Sequence, residues 1–156
     1  MDKQQLKQAI IDHFINEHKT ADDAAKTNYE AATHEENRAE NKYDTRGLEA
    51  SYMAASQGKR ALELQQTVNI YKALELQTFD EDDEIAMTAL ITLENESGTM
   101  IYFLGPRGGG TRLRVENEIV TIITAAAPLG RKLLGSMVGD EIIGAGNKTW
   151  EIAEVS

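Results

Sequence analysis

The residues best suited to chemistry are five carboxylates in one stretch of the chain, Glu35, Glu36, Glu40, Asp44 and Glu49. Carboxylate pairs can hold a hard cation such as Mg²⁺, which prefers oxygen ligands and keeps several of its waters. Acidic residues on a helix more often form a solvated face. The pattern leaves both interpretations open, and the structure that presents the carboxylates must decide between them.

A glycine-rich segment at residues 105–110 is a second candidate, for phosphate binding. It lacks the lysine and the Ser/Thr of a P-loop, and no long helix follows it. We therefore interpret it as a flexible hairpin loop, whose neighbouring arginines Arg107, Arg112 and Arg114 could contact an acidic partner. The sequence suggests no Ser/His/Asp set, and the absence of cysteine excludes a thiolate nucleophile, a disulfide and Cys-ligated zinc.

The five carboxylates lie in or beside a predicted chain reversal at residues 44–47, DTRG, between two helical patterns. Residues 2–43 and 48–77 both carry apolar or small residues at heptad-like spacing. The repeats are Phe14, Ala21 and Asn28 with Ala25, Ala32 and Ala39 in the first helix, and Ala50, Gln57, Leu64 and Tyr71 with Ala54, Ala61 and Val68 in the second. These repeats predict an antiparallel helical hairpin of coiled-coil type with its tip near residues 40–49.

The period of the apolar residues changes to two at residue 85, which is typical of strands. Strands are predicted at residues 85–93, 100–104, 113–115, 119–124, 141–143 and 149–155, with a short helix that begins at Ala127-Pro128. The fold class expected is α+β, with a small antiparallel sheet domain after the hairpin. The predicted domains are residues 1–79 for the hairpin, 80–84 for an acidic linker and 85–156 for the sheet domain.

The net charge of −10 limits the partners, and half of it lies in residues 80–84, DEDDE. Contacts to nucleic-acid phosphates need a basic face, so direct nucleic-acid binding is disfavoured. No run approaches the roughly 18 to 20 apolar residues of a membrane span. The N-terminus does not read as a signal peptide. We expect a cytoplasmic protein, monomeric and without a cofactor of its own, that docks on another protein.

The C-terminal half contains a motif that resembles a known family. Residues 119–135 read IVTIITAAAPLGRKLLG, and Val138-Gly139-Asp140 follows. This segment resembles the Gre family of bacterial transcription elongation factors, in which a strand ends in a Ser-Pro-like step before a short helix ending Leu-Gly and a Gly-Asp pair. Residues 103–106, FLGP, are similar to the family's Val-Gly-Pro turn. The order of the elements agrees across nearly the whole chain.

The resemblance implies an FKBP-like C-terminal domain that docks at the rim of the RNA polymerase secondary channel. It also implies that the hairpin enters the channel, where acids at its tip help to hold the Mg²⁺ of the polymerase and promote cleavage of backtracked RNA. Asp44 and Glu49 would then be the catalytic and metal-holding residues, each one position from the family's frame. The partner-binding residues implied are Tyr52, Pro128, Gly130, Arg131, Leu134, Gly139 and Asp140.

Three alternatives stay open beside a cleavage-promoting factor. The protein could occupy the secondary channel without promoting cleavage, as a binding protein that regulates transcription. A third alternative function, suggested by the FKBP-like domain, is prolyl isomerase activity, which needs an aromatic-lined pocket. The second domain offers Tyr102, Phe103 and Trp150 for such a pocket. The plainest alternative is a structural coiled-coil adaptor.

Overall fold

Two long helices and a six-stranded sheet make up most of the regular structure. The computed structural model describes residues 1–34, 40, 43, 45–144 and 147–156. The helices are α1 (Lys3–Thr33), α2 (Arg46–Ala73) and the short α3 (Pro128–Leu133). The strands are β1 (Leu90–Asn95), β2 (Gly98–Leu104), β3 (Arg112–Val115), β4 (Glu118–Ile123), β5 (Glu141–Ile143) and β6 (Thr149–Val155).

The chain divides into two compact units. The hairpin unit is Ile11–Lys72, and the sheet unit combines Met1–Ile10 with Ala73–Ser156. The first turns of α1 therefore belong to the sheet unit and the rest of α1 to the hairpin unit. The domain boundaries at residues 79, 80, 84 and 85 remain predictions from the sequence.

In the hairpin unit, α1 and α2 run antiparallel, as predicted. The Phe14 ring stacks on the Tyr71 ring with 5.9 Å between their centroids. Farther along, Arg60 Nη2 lies 2.9 Å from a carboxylate oxygen of Glu17. Residues later in α1 thus meet residues earlier in α2. The predicted seam of α2 faces inward over its second half, where four of its apolar members are buried: Ala61, Leu64, Val68 and Tyr71. Ala50 and Ala54, earlier in the helix, are half-buried.

The predicted limits of both long helices were wrong. Within the described residues α1 ends at Thr33 rather than Tyr43, and α2 ends at Ala73 rather than Gln77. After Ala73 the backbone groups form hydrogen bonds to side chains rather than to the helix backbone. The Gln77 amide donates to Thr88 Oγ1 at 2.9 Å, and Lys7 Nζ donates to the carbonyl of Leu74 at 2.7 Å. These bonds supply what another helical turn would have supplied.

Within the sheet unit, Lys3 connects α1 to the segment that follows α2. Its Nζ donates to the carbonyl oxygens of Gln77 and Thr88 and lies 4.9 Å from the centroid of the Phe79 ring. Partial burial lowers the pKa of Lys3 below its ordinary value. The first turn of α1 is thereby part of the packing of the sheet unit.

The sheet has the strand order β3-β4-β2-β1-β6-β5. Four of its neighbouring pairs are antiparallel, and β2 with β4 is parallel. The predicted α+β class, with a mostly antiparallel sheet and one short helix, is confirmed. The predicted hairpin loop at residues 105–110 was wrong, because it joins β2 to β3 and β4 lies between these strands.

The predicted strand at residues 85–93 was wrong in its first half, because β1 begins at Leu90. Thr88 has a left-handed backbone, with φ of 74°, which ends the extended run. Ile85 pairs instead with the segment after α3, donating to the carbonyl of Ser136 at 2.8 Å and accepting from the Gly135 amide at 2.9 Å. Ile85 therefore pairs with a segment that is distant in the sequence, although the alternation of apolar residues had placed it in the same strand as residues 90–93.

One face of the sheet packs on α3 and on the segment that precedes β1. Leu133 of α3 is fully buried there with Ile91, Leu104 and Trp150. Trp150, the single tryptophan of the chain, is 5% exposed and so reports on the packing of the sheet unit. No helix among the described residues is long and apolar enough to cross a membrane.

Candidate functional site

Glu49 lies in the first turn of α2, and its side chain is exposed. The Thr45 hydroxyl donates to Glu49 Oε1 at 3.1 Å, and the Glu49 amide donates to the Thr45 carbonyl at 2.8 Å. A carboxylate in the first turn also interacts favourably with the helix dipole. Glu49 is therefore a solvent-facing carboxylate with a defined orientation. Asp44, the other predicted catalytic and metal-holding residue, lies outside the described residues, as do Glu35 and Glu36.

Glu49 is the one predicted magnesium ligand that the described residues include. Mg²⁺ takes near-octahedral oxygen coordination, commonly with one or two carboxylates among its ligands. No group of three or more His, Cys, Asp or Glu residues that could hold a metal occurs in residues 1–34, 40, 43, 45–144 and 147–156. Glu49 offers one carboxylate, with one oxygen already bonded to Thr45. As a ligand set, the described part of the tip is incomplete.

Large side chains are exposed on α1 and α2 near the tip. Tyr52, a predicted partner-binding residue, is 68% exposed, and Met53 beside it is 51% exposed. Tyr29 on α1 is 65% exposed and borders a groove with Ala54 and Ala55. Apolar side chains that solvent reaches to this degree are available to a partner protein.

The second group of predicted partner-binding residues surrounds α3. Pro128 occupies the first position of the helix, where its missing N–H costs nothing. Pro128, Arg131 and Leu134 are exposed, and Leu134 is 48% exposed. They lie three residues apart, and we call them the α3 patch. Its apolar and cationic side chains are suited to a protein surface with both apolar and acidic groups.

Gly130 is buried beneath the α3 patch rather than part of it. A Cβ atom at this position would lie 2.0 Å from the carbonyl oxygen of Thr124 and 2.8 Å from its carbonyl carbon. Both are backbone atoms, so no side-chain rotation could relieve the contact. Gly130 therefore sets how closely α3 approaches the end of β4, and its role is to position the neighbouring residues.

Gly139 and Asp140 form a turn that leads to β5. Gly139 has a φ of 89°, and its amide donates to the Ile152 carbonyl at 2.8 Å. Asp140 Oδ2 accepts from the Met137 amide at 2.9 Å. The Asp140 carboxylate thus orders the turn after α3, so a part of its hydrogen-bonding capacity serves the fold.

Two exposed apolar residues beside the α3 patch were not predicted from the sequence. Met137 is 41% exposed and Ile143 is 52% exposed. Lys132 Nζ donates to the Ile143 carbonyl at 2.8 Å, which brings the last turn of α3 to β5. The position of β5 at a sheet edge was the missing signal, because an edge strand can leave apolar side chains uncovered.

The three aromatic residues considered for a prolyl isomerase pocket do not line one together. Phe103 is fully buried and Trp150 is 5% exposed, both within the packing of the sheet unit. Tyr102 is half-buried, and its hydroxyl contacts Met100 Sδ at 3.3 Å. The described aromatic residues therefore give no support to that alternative.

The start of α3 provides a test of local energetics. Ala127 is the N-cap residue, with φ of −70° and ψ of 148° and no side-chain cap. We expect Ala127→Ser to raise the free energy of unfolding by about 0.5–1 kcal/mol, because the hydroxyl can accept from a free amide of the first turn. Urea unfolding followed by Trp150 fluorescence measures the change. Ala126→Ser, one residue before the cap, should leave the stability within about 0.5 kcal/mol, and an equal gain there would contradict the capping argument.

No protein-family model matches the chain, and comparison with curated proteins finds no match. Among solved structures, GreA factor homolog 1 (Gfh1) of Thermus thermophilus is similar with 17% identity over 95% of each chain and a TM-score of 0.39. Thermus aquaticus Gfh1 has 16% identity over 95% of this chain and 94% of that one, with a TM-score of 0.37.

A third similar structure is the transcription elongation factor GreA/GreB from Nitrosomonas europaea. It shares 21% identity over 65% of this chain and 91% of its own, with a TM-score of 0.35.

Proposed function

We propose that the protein is a Gre-type transcription factor that binds RNA polymerase through the α3 patch and places its hairpin tip in the secondary channel. The observation that carries the proposal is the structural use of the residues in the family-like motif. Pro128 begins α3, Gly130 allows its close approach to β4, and Gly139 with Asp140 forms the turn that follows. The motif thus builds one surface element from residues that are separated in the sequence.

The hairpin unit is long enough to reach into a channel. Its helical segment in α2 extends from Arg46 to Lys72, which at 1.5 Å per residue is roughly 40 Å long. Glu49, Tyr52 and Met53 are exposed near one end of this segment. A tip with a carboxylate and two large exposed side chains can make both polar and apolar contacts inside a channel.

The proposal is tested first by binding. The full chain is labelled with a fluorophore and titrated with bacterial core RNA polymerase. We expect Arg131→Glu with Leu134→Asp to weaken binding at least about tenfold, because both changes fall on exposed residues of the docking surface. Lys148→Glu in the loop before β6 carries the same charge change as Arg131→Glu and should leave affinity within about twofold. Absence of binding by the unaltered chain would overturn the proposal.

A second assay separates regulation from promotion of cleavage. A backtracked elongation complex is incubated with the chain and Mg²⁺, and release of short 3′ RNA fragments is followed. Release that is lost in Asp44→Asn and Glu49→Gln, with polymerase affinity retained, would assign the cleavage role to these tip acids. Binding without fragments would leave a non-catalytic regulator of the channel, and would contradict the catalytic assignment of Asp44 and Glu49.

A further inference from the structure

The strand β3 is an edge of the sheet, because β4 is its neighbour on one side and no described strand lies on the other. The Ile122 amide donates to the Thr111 carbonyl at 2.8 Å, so the backbone of residue 111 faces β4. Alternation along an antiparallel pair then turns the backbone groups of Leu113 and Val115 toward β4 as well. The N–H and C=O groups of Arg112 and Arg114 therefore face outward, where another strand could pair with them.

The side chains of these two residues leave the same edge positively charged. Arg112 and Arg114 are exposed, whereas Leu113 and Val115 between and after them are buried. Among the described residues, neither arginine side chain has an ion-pair or hydrogen-bond partner. Because the arginines are two residues apart on a strand, their side chains are on one face, with their Cα atoms roughly 7 Å apart.

An open groove adjoins this edge. It has a volume of about 620 Å³ and is lined in part by Met100, Tyr102, Arg112 and Ile119. Met100 and Ile119 are 42% and 43% exposed. The register places Arg112 opposite Thr121 and Arg114 opposite Ile119. On this face of the sheet, Arg112 has the polar neighbour Thr121 and Arg114 has the apolar neighbour Ile119. The side chains of an added strand could contact these neighbours as well as the arginines.

The chemistry selects an acidic polypeptide as the occupant. Arginine binds carboxylates in a two-point geometry, and the spacing of the two arginines matches carboxylates at alternate positions of an extended chain. The outward backbone groups can pair with a regular series of backbone N–H and C=O groups, which a peptide has and the backbone of a nucleic acid lacks. Glu118 also borders the groove, and its negative charge repels the carboxylates of an incoming segment. These carboxylates are therefore expected nearer Arg112.

We propose that the free edge of β3 binds an extended acidic segment of a partner protein, which adds to the sheet as a further strand. Its backbone pairs with Arg112 and Arg114, and carboxylates at alternate positions bind the two guanidinium groups. This site is separate from the α3 patch and does not depend on a role in transcription. It gives a function to the arginines after the glycine-rich loop that phosphate binding did not explain.

The test uses the full chain and a labelled heptapeptide, Ser-Glu-Val-Glu-Val-Glu-Ser, in a fluorescence anisotropy titration at low salt. We expect saturable binding that weakens at least about tenfold in Arg112→Glu with Arg114→Glu, and less so in Arg112→Gln with Arg114→Gln. The charge-matched pair Arg131→Glu with Lys148→Glu should change affinity less than about twofold. No saturable binding, or equal weakening by both glutamate pairs, would overturn the proposal.

Two further arms test strand addition. A peptide with alternate backbone amides methylated should bind at least about tenfold more weakly, and the amides of Arg112 and Arg114 should exchange with solvent more slowly when the unmodified peptide is bound. Equal binding of the methylated peptide, or unchanged amide exchange, would overturn backbone pairing. Trp150 fluorescence confirms that each variant is folded.

Other occupants are outcomes of the same experiment. Binding of a short single-stranded oligonucleotide through Arg112 and Arg114, without peptide binding, would assign the site to nucleic acid and overturn the proposal. Sedimentation of the chain alone gives the remaining arm. A dimer that is lost in Arg112→Glu with Arg114→Glu would show that a second copy occupies the edge, which would also overturn it.

Discussion

Gly130→Ala is expected to lower the free energy of unfolding of the sheet unit by about 3 kcal/mol, with a fall in Tm of about 15 °C. A Cβ atom at residue 130 would lie 2.0 Å from the Thr124 carbonyl oxygen, which is far inside van der Waals contact. Because the opposing atoms are backbone, α3 must shift away from β4 to admit the methyl group. Thermal unfolding followed by Trp150 fluorescence measures the loss.

The control is Gly58→Ala, which is also a helical glycine. Gly58 lies within α2 with nothing within 4 Å of an added Cβ. Alanine there should raise helix stability by about 0.5–1 kcal/mol, since it loses less backbone entropy on folding. Circular dichroism at the helical minimum follows this change. A loss at Gly130 no larger than the change at Gly58 would show that the approach of α3 to β4 is not constrained as described.

The adjacent residues Leu133 and Leu134 should differ strongly in how much the same substitution lowers the free energy of unfolding. Leu133 is fully buried in the core of the sheet unit, whereas Leu134 is 48% exposed. Leu133→Ala is expected to cost about 2–5 kcal/mol through lost apolar burial and a residual cavity. Leu134→Ala should change stability by less than about 0.5 kcal/mol. Urea unfolding of both variants, followed by Trp150 fluorescence, makes the comparison.

This pair also separates folding from docking. If Leu134 belongs to the polymerase-binding surface, Leu134→Ala should weaken binding to core polymerase while its unfolding curve stays unchanged. Leu133→Ala, measured below its unfolding transition, should retain affinity. A variant Leu134→Ala that loses stability as Leu133→Ala does would contradict the exposed position of its side chain.

Local periodicity was sufficient to predict that the two long helices and most of the strands exist, although not where each helix ends. The heptad-like repeat of Ala61, Leu64, Val68 and Tyr71 predicted the buried side of α2, because every member lies on the same face of the helix. The Pro128 signal predicted the start of α3, since proline is suited to the first helical position. Patterns of this kind depend on neighbours a few residues away, so the sequence contains them directly.

Features set by distant segments were missed. Alternation could not show that Ile85 pairs with residues 135 and 136, or that β2 pairs with β4 in parallel. The role of Gly130 was hidden for a more local reason, because periodicity does not show how closely α3 lies against the backbone of Thr124, which excludes a Cβ. At the tip, Glu49 was predicted and is exposed, but its bond to Thr45 depends on where α2 begins.

The discontinuous composition of the sheet unit has a consequence for synthesis on the ribosome. Residues 1–10 emerge before the rest of the sheet unit, and the carbonyl acceptors of Lys3 follow 74 and 85 residues later along the chain. The antiparallel helices between them can form early, because their contacts close progressively from the turn. The two segments of the sheet unit, Met1–Ile10 and Ala73–Ser156, are then joined by folded helices rather than by an unstructured loop. Less conformational entropy is therefore lost when the two segments meet. A chain arrested at the end of α2 would hold its first turn of α1 without these native partners.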